Sequence, residues 1–143
     1  MRKPIRILIA DNDVEFSEGL KAFLDAQTDT KVVDIVRDGQ GTVSACKETL
    51  PDVVLIDLHL PVLDSIKTIQ SIINQNEYIK ILGISSLPND RYAVEAVKAG
   101  ASGFIEKNGG SNYPEIIEAI RQIADGEVVL NSTLASYILQ EFS

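Results

Sequence analysis

Four groups of polar side chains stand directly after short apolar runs in this 143-residue sequence. They are Asp11 with Asn12 and Asp13, then Asp57, then Ser85 with Ser86, and finally Lys107. A carboxylate at the end of a run as apolar as Val53–Ile56 has little structural justification, because aspartate is rarely buried without a partner. Asp57 is therefore the first candidate for a chemical role.

If these groups converge in the fold, their chemistry is that of phosphoryl transfer. Carboxylates gathered in one place are costly unless a cation compensates them, and oxygen ligands of this kind suit Mg²⁺. Lys107 adds a positive charge that can hold a phosphoryl oxygen, and Ser85 adds a hydroxyl donor. A carboxylate nucleophile, a hard metal ion, a lysine and a hydroxyl are the parts required to phosphorylate an aspartate.

The apolar runs predict five strands that are buried on both faces, because they are rich in Ile, Val and Leu and show little polar alternation. The predicted strands are Ile5–Ala10, Lys31–Val36, Val53–Ile56, Ile79–Ile84 and Gly103–Ile105. Amphipathic segments of helical period separate them, so the strands must pair in parallel. The sequence thus predicts an α/β fold with a doubly wound five-stranded parallel sheet. Such a sheet places its site at the carboxyl ends of the strands, where the polar groups stand.

Capping residues agree with this pattern of elements. Five residues can serve as helix N-caps: Asp13, Asp38, Asp64, Asn89 and Asn131. Pro51 follows the second helix, and Gly100 and Gly126 stand where a helix commonly ends. Beyond Gly126, a short amphipathic segment with Leu134, Ile138 and Phe142 predicts an extra C-terminal helix packed on the domain.

Composition limits the function classes. Apolar residues make up 45 % of the chain, which is enough for one folded domain. Cys46 is the only cysteine and indicates a reducing compartment, so we expect a cytoplasmic protein. No apolar run reaches the roughly 18 residues that span a membrane. The net charge of −8 disfavours direct nucleic-acid binding by this chain.

Residues 5–125 resemble a receiver domain of the two-component response regulators. The most specific segment is Val54–Asp64, in which Asp57 follows an apolar strand, a proline stands four residues on and a second aspartate three beyond it. The segment Ala96–Lys107 resembles the NarL/FixJ subfamily, also called LuxR-type. The resemblance implies a flavodoxin-like (CheY-like) strand order 2-1-3-4-5. It also implies a receiver over residues 1–126 and a linker with an extra helix over residues 127–143, with the DNA-binding output domain absent.

The resemblance implies a role for each candidate residue. Asp57 is the phosphoryl acceptor, Lys107 binds a phosphoryl oxygen, and Ser85 and Phe104 are the switch residues. The implied Mg²⁺ ligands are Asp11 through water, Asn12, Asp57 and the backbone carbonyl of His59. The implied partners are a sensor histidine kinase, a second copy of the chain upon phosphorylation, and DNA only through the output domain. The chain would catalyse its own phosphorylation and dephosphorylation without being a turnover enzyme.

Among the departures from the family pattern, those at Asn12 and Ser65 bear on metal binding and on the backbone. Asn12 stands where a second acid is usual, so we expect weaker Mg²⁺ binding at a site that still phosphorylates. Asp13 could substitute in part, although its N-cap position gives it another role. Ser65 stands where a glycine is usual, and it would be strained if the backbone there had a positive φ.

Three other functions fit parts of the sequence. A phosphatase of the haloacid dehalogenase type would be phosphorylated on Asp11 with Asp13 as general acid/base, but the acidic pair after a later strand is missing and the Asp57 motif is left unexplained. A pseudo-receiver that binds without phosphorylation is favoured only by Asn12. A flavodoxin-like FMN binder would want a hydroxyl- and glycine-rich loop where the acids stand.

Overall fold

A computed structural model describes residues 3–61, 63–87 and 91–141, and in these residues five parallel strands form one sheet in the order β2-β1-β3-β4-β5. The strands are β1 (Ile5–Ala10), β2 (Thr30–Val36), β3 (Val53–Asp57), β4 (Lys80–Ser85) and β5 (Gly103–Glu106). The helices are α1 (Val14–Asp25), α2 (Gly39–Thr49), α3 (Ser65–Gln75), α4 (Tyr92–Ala99), α5 (Tyr113–Ala124) and α6 (Ser132–Glu141). The predicted fold class and strand order are confirmed, and so is the extra C-terminal helix. None of these described helices has the length and apolarity of a transmembrane span.

The observed strand ends lie within one residue of the predicted ones. Strands β3 and β4 each extend one residue beyond the predicted end, so that Asp57 is the last residue of β3 and Ser85 is the last residue of β4. Asp57 is in register with Ile84, and the Leu58 amide donates to the Ile84 carbonyl at 2.9 Å. The ladder between β3 and β4 therefore continues through Asp57 and fixes its backbone.

Most of the predicted helix caps are confirmed by hydrogen bonds. The predicted caps accept from backbone amides of the first helical turn as follows: Asp13 from Phe16, Asp38 from Gly41, Asp64 from Ile66, and Asn131 from Leu134. Gly100 and Gly126 have φ values of 123° and 89°, which suit glycine at a helix end. Asn89, the predicted cap of α4, and Phe142 lie outside the described residues.

The backbone at Ser65 does not have the positive φ that would strain a serine. Among the described residues other than glycine, Leu50 alone has a positive φ, of 48°, at the end of α2. Ser65 is the first residue of α3 and has ordinary helical geometry. The condition for strain is therefore not met, because this chain begins its helix at Ser65.

Two apolar layers cover the faces of the sheet. Alternate β1 residues point to opposite sides, so that Leu8 lies in the layer formed with α2, α3, α4 and α6. Ile7 and Ile9 lie in the other layer, with α1 and α5. Because helices pack against both faces of the sheet, the strands are buried on both sides and their carboxyl ends have fixed positions.

The segment before α6 lies along the outer edge of β5. The Phe104 amide donates to the Val129 carbonyl at 2.9 Å, and the Val129 amide donates to the Ser102 carbonyl at 3.1 Å. Leu134 of α6 is 5 % exposed and packs in the same layer as Phe104. We use the name tail contact for two interactions together: the backbone pairing of Val129 with the edge of β5, and the packing of Leu134 in the apolar layer that contains Phe104. It protects the edge of the sheet from further pairing.

Candidate functional site

The carboxyl ends of β1, β3 and β5 bring together two carboxylates and one ammonium group. Lys107 Nζ lies 2.8 Å from Asp11 Oδ2 and 3.0 Å from Asp57 Oδ2. Asp11 is fully buried and Asp57 is 8 % exposed. We call Asp11, Asp57 and Lys107 the acid pocket. Three side chains that are 46 or more residues apart in sequence thus converge as the strand-end rule predicted.

The second oxygen of each carboxylate accepts from the backbone two residues later. Asp11 Oδ1 accepts from the Asp13 amide at 2.8 Å, and Asp57 Oδ1 accepts from the His59 amide at 2.8 Å. Each carboxylate is therefore held by one amide and by the shared lysine. Charge-assisted hydrogen bonds of this length are strong enough to fix the side-chain orientation.

Burial and charge have opposite effects on the groups of the acid pocket. Burial raises the pKa of Asp11, and this outweighs the lowering by Lys107 and by the Asp13 amide. Burial lowers the pKa of Lys107, but the hydrogen bonds and charges of Asp11 and Asp57 more than offset it, so that the pKa of Lys107 lies above its usual value. Lys107 is consequently a firm positive charge at neutral pH.

Aromatic rings support Lys107 from the side of α1. Its Nζ lies 4.7 Å from the centre of the Phe16 ring, within the range of a cation–π interaction. The Tyr113 ring meets Phe16 edge-on at 5.7 Å, and the Tyr113 hydroxyl donates to the Phe16 carbonyl at 2.8 Å. Helices α1 and α5 therefore both help to position the lysine that follows β5.

Arg37 supports the loop after β1 and was missed at the level of sequence. Its Nη1 donates to the Asp11 carbonyl at 3.0 Å and to Ser17 Oγ at 2.6 Å, and Ser17 Oγ donates to the Asp13 carbonyl at 2.8 Å. Arg37 directly follows β2, so the rule that identified the other site residues could have found it. The direction of its side chain could not have been read from the sequence.

Ser65 supports the loop after β3. Its hydroxyl donates to the Asp57 carbonyl at 2.8 Å and accepts from the Leu60 amide at 3.2 Å. All three residues are buried, with Ser65 3 % exposed and Leu60 7 % exposed. The hydroxyl that sequence comparison treats as a departure from glycine is thus a structural part of the loop behind Asp57.

The predicted switch residues lie beside the acid pocket and not in it. Ser85 is fully buried, its carbonyl accepts from the Lys107 amide at 2.8 Å, and its hydroxyl accepts from the Leu87 amide at 3.0 Å. Phe104 is 4 % exposed and packs in the apolar layer that includes Leu134. The backbone hydrogen bond from the Lys107 amide to the Ser85 carbonyl connects the ends of β4 and β5.

The remaining predicted residues lie at the rim of the site. Asn12 and Asp13 are exposed, and Asp13 uses its carboxylate to cap α1. The acid pocket therefore contains two carboxylates, those of Asp11 and Asp57, while the carboxylate of Asp13 caps α1. His59 is exposed, and its ring meets that of Tyr92 edge-on at 5.2 Å.

The carboxylate donors at this edge of the sheet suit Mg²⁺. Within the described parts of the chain, no group of three or more His, Cys, Asp or Glu side chains could hold a metal ion. Mg²⁺ requires less, because it binds through one or two carboxylates and keeps several waters. Asp11 and Asp57 place two carboxylates at this edge, and Asn12 carries an amide oxygen at its rim.

Comparison with protein families identifies this arrangement. The family described as "Response regulator receiver domain" matches residues 7–121. The chain belongs to this family. Receiver domains of response regulators take phosphoryl groups from histidine kinases, generally bind Mg²⁺ at the phosphorylation site, and pair with DNA-binding output domains.

Individual relatives place the chain among the LuxR-type receivers. The transcriptional regulatory protein LiaR of Bacillus subtilis is 34 % identical over 94 % of the chain and 63 % of its own length. A LuxR-family two-component response regulator from Aurantimonas has a structure with a TM-score of 0.85, at 27 % identity, covering 97 % of this chain and 98 % of that one. The implied subfamily is thereby confirmed.

The relatives differ in what lies beyond the receiver. The chain spans only 58–63 % of the length of the first three curated transcriptional regulators it matches. A protein-glutamate methylesterase/protein-glutamine glutaminase of Caldanaerobacter subterraneus is 33 % identical over 95 % of the chain and 36 % of its own length. The family thus includes transcriptional regulators, which are the more numerous here, and enzymes.

Proposed function

We propose that Asp57 accepts a phosphoryl group from a sensor histidine kinase in the cytoplasm, and that the chain relays this event to a DNA-binding output domain. The observation that carries the proposal is the position of Lys107, which contacts Asp57 and Asp11 together. In this proposal residues 1–126 are the receiver, and residues 127–143 are the linker with its extra helix. The chain acts only on itself and is not a turnover enzyme.

The chemical step is a displacement at phosphorus. A carboxylate oxygen of Asp57 attacks the phosphorus of a phosphohistidine, the P–N bond breaks, and its electron pair stays on the departing imidazole, which takes up a proton. Lys107 now holds Asp57 Oδ2 at 3.0 Å, and in the product its ammonium group binds a phosphoryl oxygen instead. Attack by water on the aspartyl phosphate returns the carboxylate and releases inorganic phosphate.

The proposed Mg²⁺ ligands are Asp11 through water, Asn12, Asp57 and the His59 carbonyl. When bound, the ion neutralises charge on the phosphoryl oxygens. Asn12 contributes an amide oxygen where a carboxylate would add a charge, so Asp11 and Asp57 supply all the side-chain charge toward the ion. The exposure of Asn12 leaves it accessible from solvent for this role.

The response to phosphorylation is proposed to pass through β4 and β5. The added negative charge lies beside Lys107, whose amide is bonded to the Ser85 carbonyl. Movement of Ser85 toward the phosphoryl group would then disturb Phe104 and the packing around it. The altered surface of α4 and α5 would pair with a second copy of the chain and release or arrange the output domain.

Incubation with acetyl phosphate and Mg²⁺ tests the acceptor, with the products separated on a phosphate-affinity gel. The wild type is expected to shift, and Asp57→Asn is expected to show no shift because it lacks the nucleophile. Asp52→Asn is the matched control, since Asp52 is exposed and stands just before the opposite end of β3. An unshifted wild type would refute the proposal, and so would a phosphoryl group that mass spectrometry locates on Asp11.

A further inference from the structure

Two cationic side chains hold Asp11 at different atoms, and only one of them belongs to the acid pocket. Lys107 Nζ lies 2.8 Å from the carboxylate oxygen Oδ2 of Asp11. Arg37, which directly follows β2, instead donates from Nη1 to the backbone carbonyl of Asp11 at 3.0 Å. The Asp11 amide in turn donates to the Val36 carbonyl at 3.0 Å. The backbone of Asp11 is therefore attached to the end of β2 through both its amide and its carbonyl.

The guanidinium group of Arg37 also holds the loop after β1 beyond Asp11. The same Nη1 donates to Ser17 Oγ at 2.6 Å, and Ser17 Oγ donates to the Asp13 carbonyl at 2.8 Å. Asn12 thus stands between two residues whose carbonyls both belong to this network. Asp11 and Ser17 are fully buried, and buried polar groups need partners. The network therefore orders the loop that carries two of the proposed Mg²⁺ ligands.

The charge of Arg37 does not explain its position beside this loop. A positive charge near a cation site weakens the binding of the cation. The ion pair of Arg37 Nη2 with Glu18 Oε1, at 3.4 Å, is exposed, and exposed pairs contribute little to stability. The contribution of Arg37 to the loop is therefore its pair of hydrogen bonds from Nη1.

We propose that Arg37 is a positioning residue of the acid pocket, which orders the loop after β1 so that Asp11 and Asn12 are in place for Mg²⁺ before the ion arrives. This inference rests on the proposed function. Lys107 shares its ammonium group between Asp11 and Asp57, so its contacts change when an ion or a phosphoryl group is held there. The contact of Arg37 involves neither oxygen of the Asp11 carboxylate and is compatible with that change. A loop that is already ordered lowers the cost of binding.

The test compares variants of the full chain in the metal-free and Mg²⁺-bound protein. Arg37→Met removes the guanidinium group and keeps an unbranched side chain, and Ser17→Ala removes the hydroxyl without changing charge. Arg6→Met is the matched control, because Arg6 Nη1 also donates to a backbone carbonyl, that of Leu50 at 2.7 Å, but near the amino end of β1. The measurements are Mg²⁺ affinity from amide chemical shifts, hydrogen exchange of the Asp13 amide without metal, and the midpoint of urea unfolding.

Arg37→Met is expected to weaken Mg²⁺ binding about three- to tenfold, the effect of about one hydrogen bond. The sign separates positioning from charge, because loss of a nearby positive charge would by itself strengthen the binding of a cation. Ser17→Ala is expected to weaken binding in the same direction. The double variant should bind about as weakly as Arg37→Met alone, since the two side chains act through one network.

Two further measurements separate positioning from a general loss of stability. The Asp13 amide donates to Asp11 Oδ1 at 2.8 Å, and without metal it is expected to exchange faster in Arg37→Met and in Ser17→Ala. Arg6→Met is expected to bind Mg²⁺ like the wild type, even where its midpoint of unfolding falls as far as that of Arg37→Met.

Mg²⁺ affinity in Arg37→Met that equals or exceeds that of the wild type would overturn the inference, and so would an equal loss of affinity in Arg6→Met. A double variant that shows the full sum of the two single losses would contradict the shared network. If the wild type binds Mg²⁺ and is labelled by acetyl phosphate while Arg37→Met is unaffected, only the role of Arg37 is refuted. A wild type that neither binds Mg²⁺ nor is labelled would refute the proposed function together with it.

Discussion

The acid pocket and the tail contact lie at two places on the same sheet and are stabilised by different physics. The pocket consists of three charged side chains at hydrogen-bond distance, held by backbone amides and a lysine. The tail contact consists of two backbone hydrogen bonds along β5 and one buried leucine. A change of charge should therefore alter the acid pocket with little effect on the stability of the tail contact. A loss of apolar volume should weaken the tail contact with little effect on the acid pocket.

Phe104 and Ser85 lie between these two regions. Ser85 is joined to the pocket through the Lys107 amide, while the Phe104 amide is joined to the tail through Val129. The two regions thus share strand β5. Signals from the pocket can reach the tail only if this strand end has two arrangements, which is the physical requirement for a switch.

The largest expected effect comes from Lys107→Met, which breaks the charge balance of the pocket. Labelling by acetyl phosphate is expected to fall on the order of a hundredfold, because the ammonium group that would hold a phosphoryl oxygen is lost. The pKa of Asp11 should rise further, since Lys107 lowers it in the wild type. Quantified gel shifts and carbon NMR of the carboxyl groups measure the two effects.

Lys47→Met is the matched control for charge, because Lys47 is exposed on α2. Labelling of Lys107→Met within threefold of the wild type would contradict the assigned role.

The wild type also has a distinct pH response at this residue. Because its folded-state pKa lies above 10.5, Lys107 contributes its full stabilisation at neutral pH and loses it only as the pH rises through that pKa.

Leu134→Ala tests the tail contact by removing apolar volume without changing charge. Leu134 is 5 % exposed, so its truncation is expected to cost about 2–4 kcal/mol of the free energy of unfolding. Leu139→Ala in the same helix is the control, because Leu139 is 69 % exposed and its truncation should cost less than about 0.5 kcal/mol. Urea unfolding followed by circular dichroism measures both.

Equal stability losses in the two leucine variants would show that α6 is not packed as described. Acetyl phosphate labelling of Leu134→Ala is the sharper comparison. If the regions are separable in the resting state, its labelling should stay within about twofold of the wild type despite the lost stability, because distant sites act nearly independently.

The sequence predicted most of the fold because local patterns and topology agree. Apolar runs located the strands, and aspartates located the starts of α1, α2 and α3. The rule that parallel strands expose their carboxyl ends at one edge then predicts that Asp57 and Lys107 lie close together. These predictions depend on residue type and order, which a sequence displays directly.

The supporting contacts could not be predicted in the same way, because they depend on where side chains point after packing. The sequence showed Ser65 only as a substitute for glycine, whereas its hydroxyl forms hydrogen bonds with two backbone groups behind Asp57. Arg37 reaches back to the loop after β1, and Phe16 places its ring against Lys107. The pairing of Val129 with β5 could not be predicted, because the short apolar run Val128–Leu130 does not indicate which part of the sheet it contacts.

Asn12→Asp has the smallest expected effect. It tests whether an added negative charge beside the acid pocket changes metal binding without changing stability. A carboxylate at this exposed position adds one negative charge to the proposed metal ligands. The Mg²⁺ dissociation constant is expected to fall about tenfold, while the free energy of unfolding changes by less than about 0.5 kcal/mol. Magnesium titrations of the two proteins at equal ionic strength measure the difference.

Asn74→Asp adds the same charge at an exposed position of α3 and controls for the overall field of the protein. Equal affinity in Asn12→Asp and the wild type would mean that residue 12 does not approach the ion, and the ligand set would have to be sought among Asp11, Asp57 and the turn at His59. A gain in Asn74→Asp as large as that in Asn12→Asp would assign the effect to net charge. A gain confined to residue 12 would instead show that Asn12 limits metal binding.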